Sequence, residues 1–186
     1  MTIRHLTMDE LMAGLDHIRE SPEDDGVLEL IVRRPAADAR EVLEEAELTL
    51  EDGLVGDRWG RRRKRDPLTP SDTGNQLTLM NARVIALLSG DRARWPLAGD
   101  QLYVDLDLGR ANLPPGTLIA LGSAVIEISA EPHTGCGKFS ARFGADAVRF
   151  VNSPLGRDLQ LRGVNARVFQ GGAVRVGDVA SKLAGD

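Results

Sequence analysis

From Gly26 to Val179 the chain repeatedly builds a short run of β-branched and aliphatic residues and then stops it with glycine or proline. Val27-Leu28-Glu29-Leu30-Ile31-Val32 ends before Pro35, a second run spans Glu41 to Leu50, and Gln76-Leu77-Thr78-Leu79-Met80 is a third. Gln101 to Asp107 alternates, with Leu102, Val104 and Leu106 on one face and Asp105 and Asp107 on the other. Thr117 to Leu121 and Val125 to Ser129 form a hairpin about Gly122-Ser123, and the stretches 163–169 and 173–176 flank Gln170-Gly171-Gly172. Many short strands with turn residues between them, few helices and no strand–helix alternation predict a closed or nearly closed β-barrel rather than a parallel sheet.

Helices are expected at the margins. Thr7 and Glu10 form a capping-box pattern that opens a helix over 7–20, with Leu11, Leu15 and Ile18 on one face and Ser21-Pro22 at its end. Asn81 caps a second helix carrying Val84, Ile85, Leu87 and Leu88. Residues 137–152 read as helix broken in two by Gly144, with Phe139, Phe143, Val148 and Val151 as anchors. Residues 1–25 are thus expected as an N-terminal helical extension and 26–183 as one barrel domain, mainly β with a few peripheral short helices (α+β by content). Residues 60–75, charged and rich in Pro, Ser, Asp and Gly, predict a long exposed loop.

A chain of 186 residues, 42% of them hydrophobic, suffices for one core. It holds no apolar run near the ~20 residues that span a bilayer, and its N-terminus shows no signal-peptide pattern. A lone cysteine fits a reducing compartment. A cytoplasmic protein with no membrane partner is the expectation. A net charge of −5 and 4% aromatic residues disfavour a nucleic-acid partner. Positive charge is concentrated from Arg58 to Arg65. That run is either a solvated loop or an anion clamp for a phosphorylated small ligand.

The chemistry centres on Glu131-Pro132-His133-Thr134-Gly135-Cys136-Gly137-Lys138-Phe139. Pro132 stops the preceding strand, glycines flank the cysteine, and a helix begins just beyond it. A thiol there faces free backbone N–H groups, which favour the thiolate, and His133, Lys138 and Arg142 would add positive charge. Such a sulfur is a nucleophile or a soft ligand. His133 and Cys136 form a candidate catalytic pair, although neither oxyanion donors nor an orienting third residue stands out. The alternative is a small buried cysteine with no chemistry. Scattered histidines and the lack of Cys-x-x-Cys argue against a structural zinc site.

Four ordered segments, Gly53–Arg58, Ala111–Gly116, the cysteine segment, and Gly163–Val168 followed by Gly177-Asp178, together resemble the MOSC domain of molybdenum-cofactor sulfurases and stand-alone bacterial proteins. The resemblance covers about 40–180 and implies a MOSC-like β-barrel. It also implies a molybdenum cofactor (molybdopterin) as ligand, with Cys136 binding the metal or its sulfur. Asp57 and Arg58 match the family's Gly-Asp-Arg segment, and Asn112 its Asn-Leu segment. Thr134, Gly135, Lys138, Arg142, Asn165 and Arg167 complete the implied cofactor contacts. The implied activity is that of an oxidoreductase reducing N-hydroxylated or related N–O small molecules, with a redox or sulfur-transfer protein partner. A persulfide carrier and a non-catalytic small-molecule-binding barrel remain the alternatives. His133-Thr134-Gly135 departs from the arginine and proline that approach this cysteine in reductase-type members.

Overall fold

The computed structural model describes residues 4–60 and 74–184. Its strands are β1 (Gly26–Arg33), β2 (Glu41–Leu43), β3 (Glu45–Thr49), β4 (Gly53–Leu54), β5 (Leu77–Asn81), β6 (Leu102–Asp105), β7 (Leu118–Leu121), β8 (Ala124–Ile128), β9 (Val164–Gln170), β10 (Gly172–Arg175) and β11 (Val179–Lys182). Seven of them close a ring in the order β11-β7-β8-β9-β5-β6-β1, with β1 returning to β11 through Gly26↔Ala180 and Val27↔Val179. β2 extends β1 outward, and β10, β3 and β4 form a small second sheet. The mainly β, MOSC-like barrel read from the sequence is the fold observed. The predicted loop over 60–75 falls almost wholly outside the described residues.

The barrel interior is the face that the alternating strands predict: Leu28, Ile31, Leu77, Leu79, Leu102, Val104, Ile126 and Ala166 are all buried there. A second core lies outside the barrel wall. It joins Leu30, Val32, Met80 and Tyr103, the outward residues of β1, β5 and β6, to a helical layer. That layer comprises α1 (Met8–Ala13), α2 (Leu15–Arg19), α3 (Ala82–Ser89), a 3-10 helix (Arg92–Ala98), α4 (Gly137–Phe143), α5 (Ala145–Asn152) and α6 (Pro154–Asp158). Apolar area on both faces is therefore removed from water, worth roughly 25 cal/mol per Å².

Three expectations change. The helix over 7–20 is two helices divided at Gly14, where an added Cβ would lie 2.7 Å from the Leu87 side chain. β5 and β6 run parallel, joined by α3 and the 3-10 helix, so one strand–helix–strand unit is built into the ring. The outward face of β6 is polar only at its end: Tyr103 is fully buried, and its hydroxyl donates to the Trp95 carbonyl at 2.8 Å. The caps at Thr7 and Asn81 and the break at Gly144 lie where the sequence places them. Leu11, Leu15 and Ile18 of the N-terminal helices are buried in the same cluster as Phe150 and Val151.

Candidate functional site

Loop 129–136 leaves β8 at one end of the barrel and is tied down by two asparagines. Buried Asn165 on β9 donates its Nδ2 to the carbonyls of Glu131 (3.1 Å) and Pro132 (3.3 Å). Asn152 on α5 accepts from the Gly135 amide at 3.0 Å and donates back to the Gly135 carbonyl at 3.2 Å. The loop so held presents Thr134 and Cys136 to solvent, and Cys136 is the N-cap residue of α4 in extended backbone. Its sulfur makes no capping hydrogen bond of full geometry. The backbone N–H groups of Phe139 and Lys138 nevertheless act on it. The Phe139 N–H is the largest influence holding the thiol pKa below its ordinary value; partial burial opposes it, and Lys138 N–H, Arg162 and Arg142 reinforce it.

His133 does not add positive charge, contrary to the sequence expectation. Burial, and after it the charge of Arg162, lower its pKa to about 4, outweighing the opposite pull of Asp100. The imidazole is neutral at pH 7, with Nδ1 3.5 Å from Asp100 Oδ1 and without a hydrogen-bond partner. Asp100, whose carboxylate oxygens both accept from Arg162, stands near His133 without orienting it by a hydrogen bond, and no sequence signal pointed to it.

Cations surround this end. Arg34 is paired with the fully buried Asp57 (2.9 Å), Lys138 with Asp38 (3.1 Å), and Arg142 with Asp38 (3.1 Å) and the Leu97 carbonyl (2.7 Å). Among the described residues Arg40 donates only to backbone carbonyls, of Pro96 and Ala39, and its pKa is lowered by burial and then by Arg142, Arg34 and Arg58. Among the described residues neither Arg40 nor the exposed Arg58 forms an ion pair, although Asp38 feels the charge of Arg40. The charges that act on the thiol itself are those of Arg162 and Arg142, and both favour the thiolate. Arg34 and Arg40 could not be singled out in the sequence, because only the end of β1 and the chain reversal beyond it bring Arg34 within reach of His133 and Arg40 within reach of Arg142.

Two implied contacts lie elsewhere. Asn112 sits beyond the far end of β6, where its Nδ2 donates to the carbonyls of Asp107 (2.8 Å) and Glu23 (2.9 Å) and its Oδ1 accepts from Lys182 Nζ (2.7 Å). Asp100 precedes that strand and Asp107 follows it, so the barrel separates Asn112 from His133. Arg167 is spent on Glu127 of the neighbouring strand, at 2.7 Å. Asp57, Asn165 and Gly135 are brought to the site as framework: Asp57 holds Arg34, Asn165 holds the loop, and Gly135 is the point Asn152 grips.

Among the described residues no group of three or more His, Cys, Asp or Glu side chains converges on a metal position, and no helix is long and apolar enough to cross a membrane. Fold and site together define a MOSC-like barrel bearing an accessible, activated thiol in cationic surroundings. Solved structures agree on the fold. YuaD protein from Bacillus subtilis is 19% identical, with a TM-score of 0.59 over 84% of this chain and 96% of that one. YiiM from Escherichia coli is 17% identical, with a TM-score of 0.56 over 86% and 71%. YiiM from Geobacillus stearothermophilus is 11% identical, with a TM-score of 0.52 over 87% and 73%. YuaD and YiiM are stand-alone MOSC-domain proteins. No protein-family model and no curated protein matches the chain.

Proposed function

We propose that this protein binds a molybdenum–pterin cofactor at the Cys136 end of the barrel and serves as an oxidoreductase for small N-hydroxylated or related N–O compounds. The observation that carries the reading is an exposed thiol of lowered pKa that feels the charge of Arg162 and Arg142, with Arg40, which in turn feels Arg142 and Arg58, lacking an ion-pair partner among the described residues as Arg58 does. The donor set suits the group. A thiolate is a soft ligand for a thiophilic metal, and guanidinium groups are the preferred partners of phosphate. Gly137 adds room, since a Cβ there would meet nothing within 4 Å.

Cys136 would be the protein ligand of the metal, while Arg40, Arg58, Lys138 and Arg142 would balance the phosphate. The bound group would supply two-electron redox chemistry. The chain's own part is to keep the thiolate available, to hold the loop rigid through Asn152 and Asn165, and to keep His133 uncharged. Molybdenum and pterin analysis of wild-type protein against Cys136→Ser, both from a cofactor-replete host, tests this. Stoichiometric metal and pterin lost in the variant supports the reading, and their absence from wild type defeats it. The exposure of Cys136 also favours a second reading, a persulfide carrier. Intact-mass spectrometry showing a reducible gain of one sulfur at Cys136, without metal, would select it.

A further inference from the structure

Asp38 lies on an exposed turn between β1 and β2, in the left-handed backbone region at a φ of +60°. Its carboxylate accepts from Lys138 Nζ at 3.1 and 3.4 Å and from Arg142 Nη2 at 3.1 Å. These two cations stand about one turn apart on α4, and among the described residues they are the only side chains bonded to Asp38.

The arginines here are fixed by other means. Arg142 Nη1 donates to the Leu97 carbonyl at 2.7 Å and Arg40 Nε to the Pro96 carbonyl at 3.1 Å, so successive carbonyls of the 3-10 helix hold both guanidiniums. Neutral carbonyls set the positions of these groups without cancelling their charge. Arg40 feels the charge of Arg142, and Asp38 feels Lys138, Arg142 and Arg40. Three cations are thereby gathered about one carboxylate, an arrangement that repels itself until a further anion joins it. A phosphate monoester, with up to two negative charges and three strong acceptor oxygens, matches the cations better than a carboxylate does.

Asp38 is also loosely kept. It is 61% exposed, and exposed ion pairs hold weakly, whereas the Arg142 side chain is only 22% exposed. The β1–β2 ladder closes at Arg33↔Glu41, so the turn over 36–38 can swing without breaking a rung.

We propose that Asp38 is a built-in competitor for an anion site formed by Arg40, Lys138 and Arg142, occupying it until the phosphate monoester of a ligand displaces it. A carboxylate ligand gains too little over Asp38 to do the same, so the site selects doubly charged phosphate. The proposal rests on the phosphate half of the proposed function and involves neither the metal nor Cys136.

The test is an amide NMR titration of the metal-free, full-length protein with phenyl phosphate and with inorganic phosphate, at about pH 8 and constant ionic strength, where both are dianions. Wild type is expected to bind phenyl phosphate weakly, with the resonances of residues 36–39 moving as the turn is released. Asp38→Asn removes the charge and suits the same left-handed backbone. It is expected to bind roughly three- to tenfold more tightly, and Asp38→Gly to do likewise. Equal or weaker binding by these variants, folded by circular dichroism, overturns the proposal, as does the lack of any saturable shift in all three proteins. Lys138→Met added to Asp38→Asn is expected to weaken phenyl phosphate binding several-fold, and unchanged binding places the site elsewhere and overturns it. Inorganic phosphate that binds where phenyl phosphate does not would assign the site to the free ion and overturn the ligand class. Neither probe contains molybdenum or pterin, so protein found to lack the cofactor can still pass this test, and protein that carries it can still fail.

Discussion

Arg34 grips Asp57 through two parallel hydrogen bonds, Nε to Oδ2 at 2.9 Å and Nη2 to Oδ1 at 3.1 Å, and its backbone amide donates to the same Oδ2 at 2.9 Å. The Arg58 amide then donates to the Arg34 carbonyl at 2.8 Å. The end of β1 and the turn that carries Arg58 are thereby one unit, and its centre is a carboxylate with no exposed surface. Asp57→Ala would leave the Arg34 guanidinium buried without its counter-charge. A loss of about 3–5 kcal/mol is expected, read from urea denaturation, with a loss below about 1 kcal/mol counting against the assignment.

His133 makes stability depend on acid. Its pKa falls from 6.5 in the unfolded chain to about 4 in the native one. Between those values the unfolded chain takes up a proton that the native state refuses, so falling pH favours unfolding. The contribution is complete above about pH 6.5 and disappears as pH approaches 4, a change on the order of 2–3 kcal/mol. Denaturation at pH 7.5 and 4.5 should show a smaller difference for His133→Gln than for wild type. Equal differences would mean that His133 is protonated in the native state.

The cations beside Cys136 should discriminate between reagents. Iodoacetate is anionic and iodoacetamide neutral, and both attack the same sulfur. Relative to a free thiol, wild-type protein is expected to favour iodoacetate several-fold at low ionic strength. The preference should vanish near 1 M salt, where the screening length is about 3 Å. Arg40→Met with Arg58→Ala should weaken it at low salt as well. An unchanged ratio in the double variant would assign the field to other groups.

Gly163, next to Arg162, has a φ of +103°, and an added Cβ would lie 2.1 Å from the Leu79 carbonyl oxygen. Gly163→Ala must displace β9 from β5 or strain the turn. Thermal denaturation is expected to show a loss of about 2–4 kcal/mol, and an unchanged stability would count against the close approach of this turn to β5.

Local features were the legible ones. The Thr7–Glu10 box, the Asn81 cap and the Gly144 break are contacts between residues a few positions apart, so adjacent letters encode them. Alternation in β1, β6 and β8 was enough for a barrel. It could not announce the second core, because a helical layer conceals Tyr103 and Met80 on a face that a half-exposed strand would leave polar. Cys136 was legible from its glycines and from the helix it opens. Asp100, Arg162, Arg34 and Arg40 were not, since each matters through a partner far along the chain. Asn112 illustrates the converse: a turn residue in a recognisable motif carries no sign of which rim of the barrel it occupies.

The ring closes on a narrow seam. β1 meets β11 at only two paired positions, supported by Leu28 N–H on the Asp178 carbonyl (2.9 Å) and Gly177 N–H on the Leu28 carbonyl (2.8 Å). These partners lie some 150 residues apart, a separation that makes their meeting slow relative to local contacts. While a growing polypeptide still lacks its last strand, β1 and β7 both offer unpaired backbone to any neighbour, an invitation to clumping. Docking of β11 against both of them is the event that removes this exposed edge.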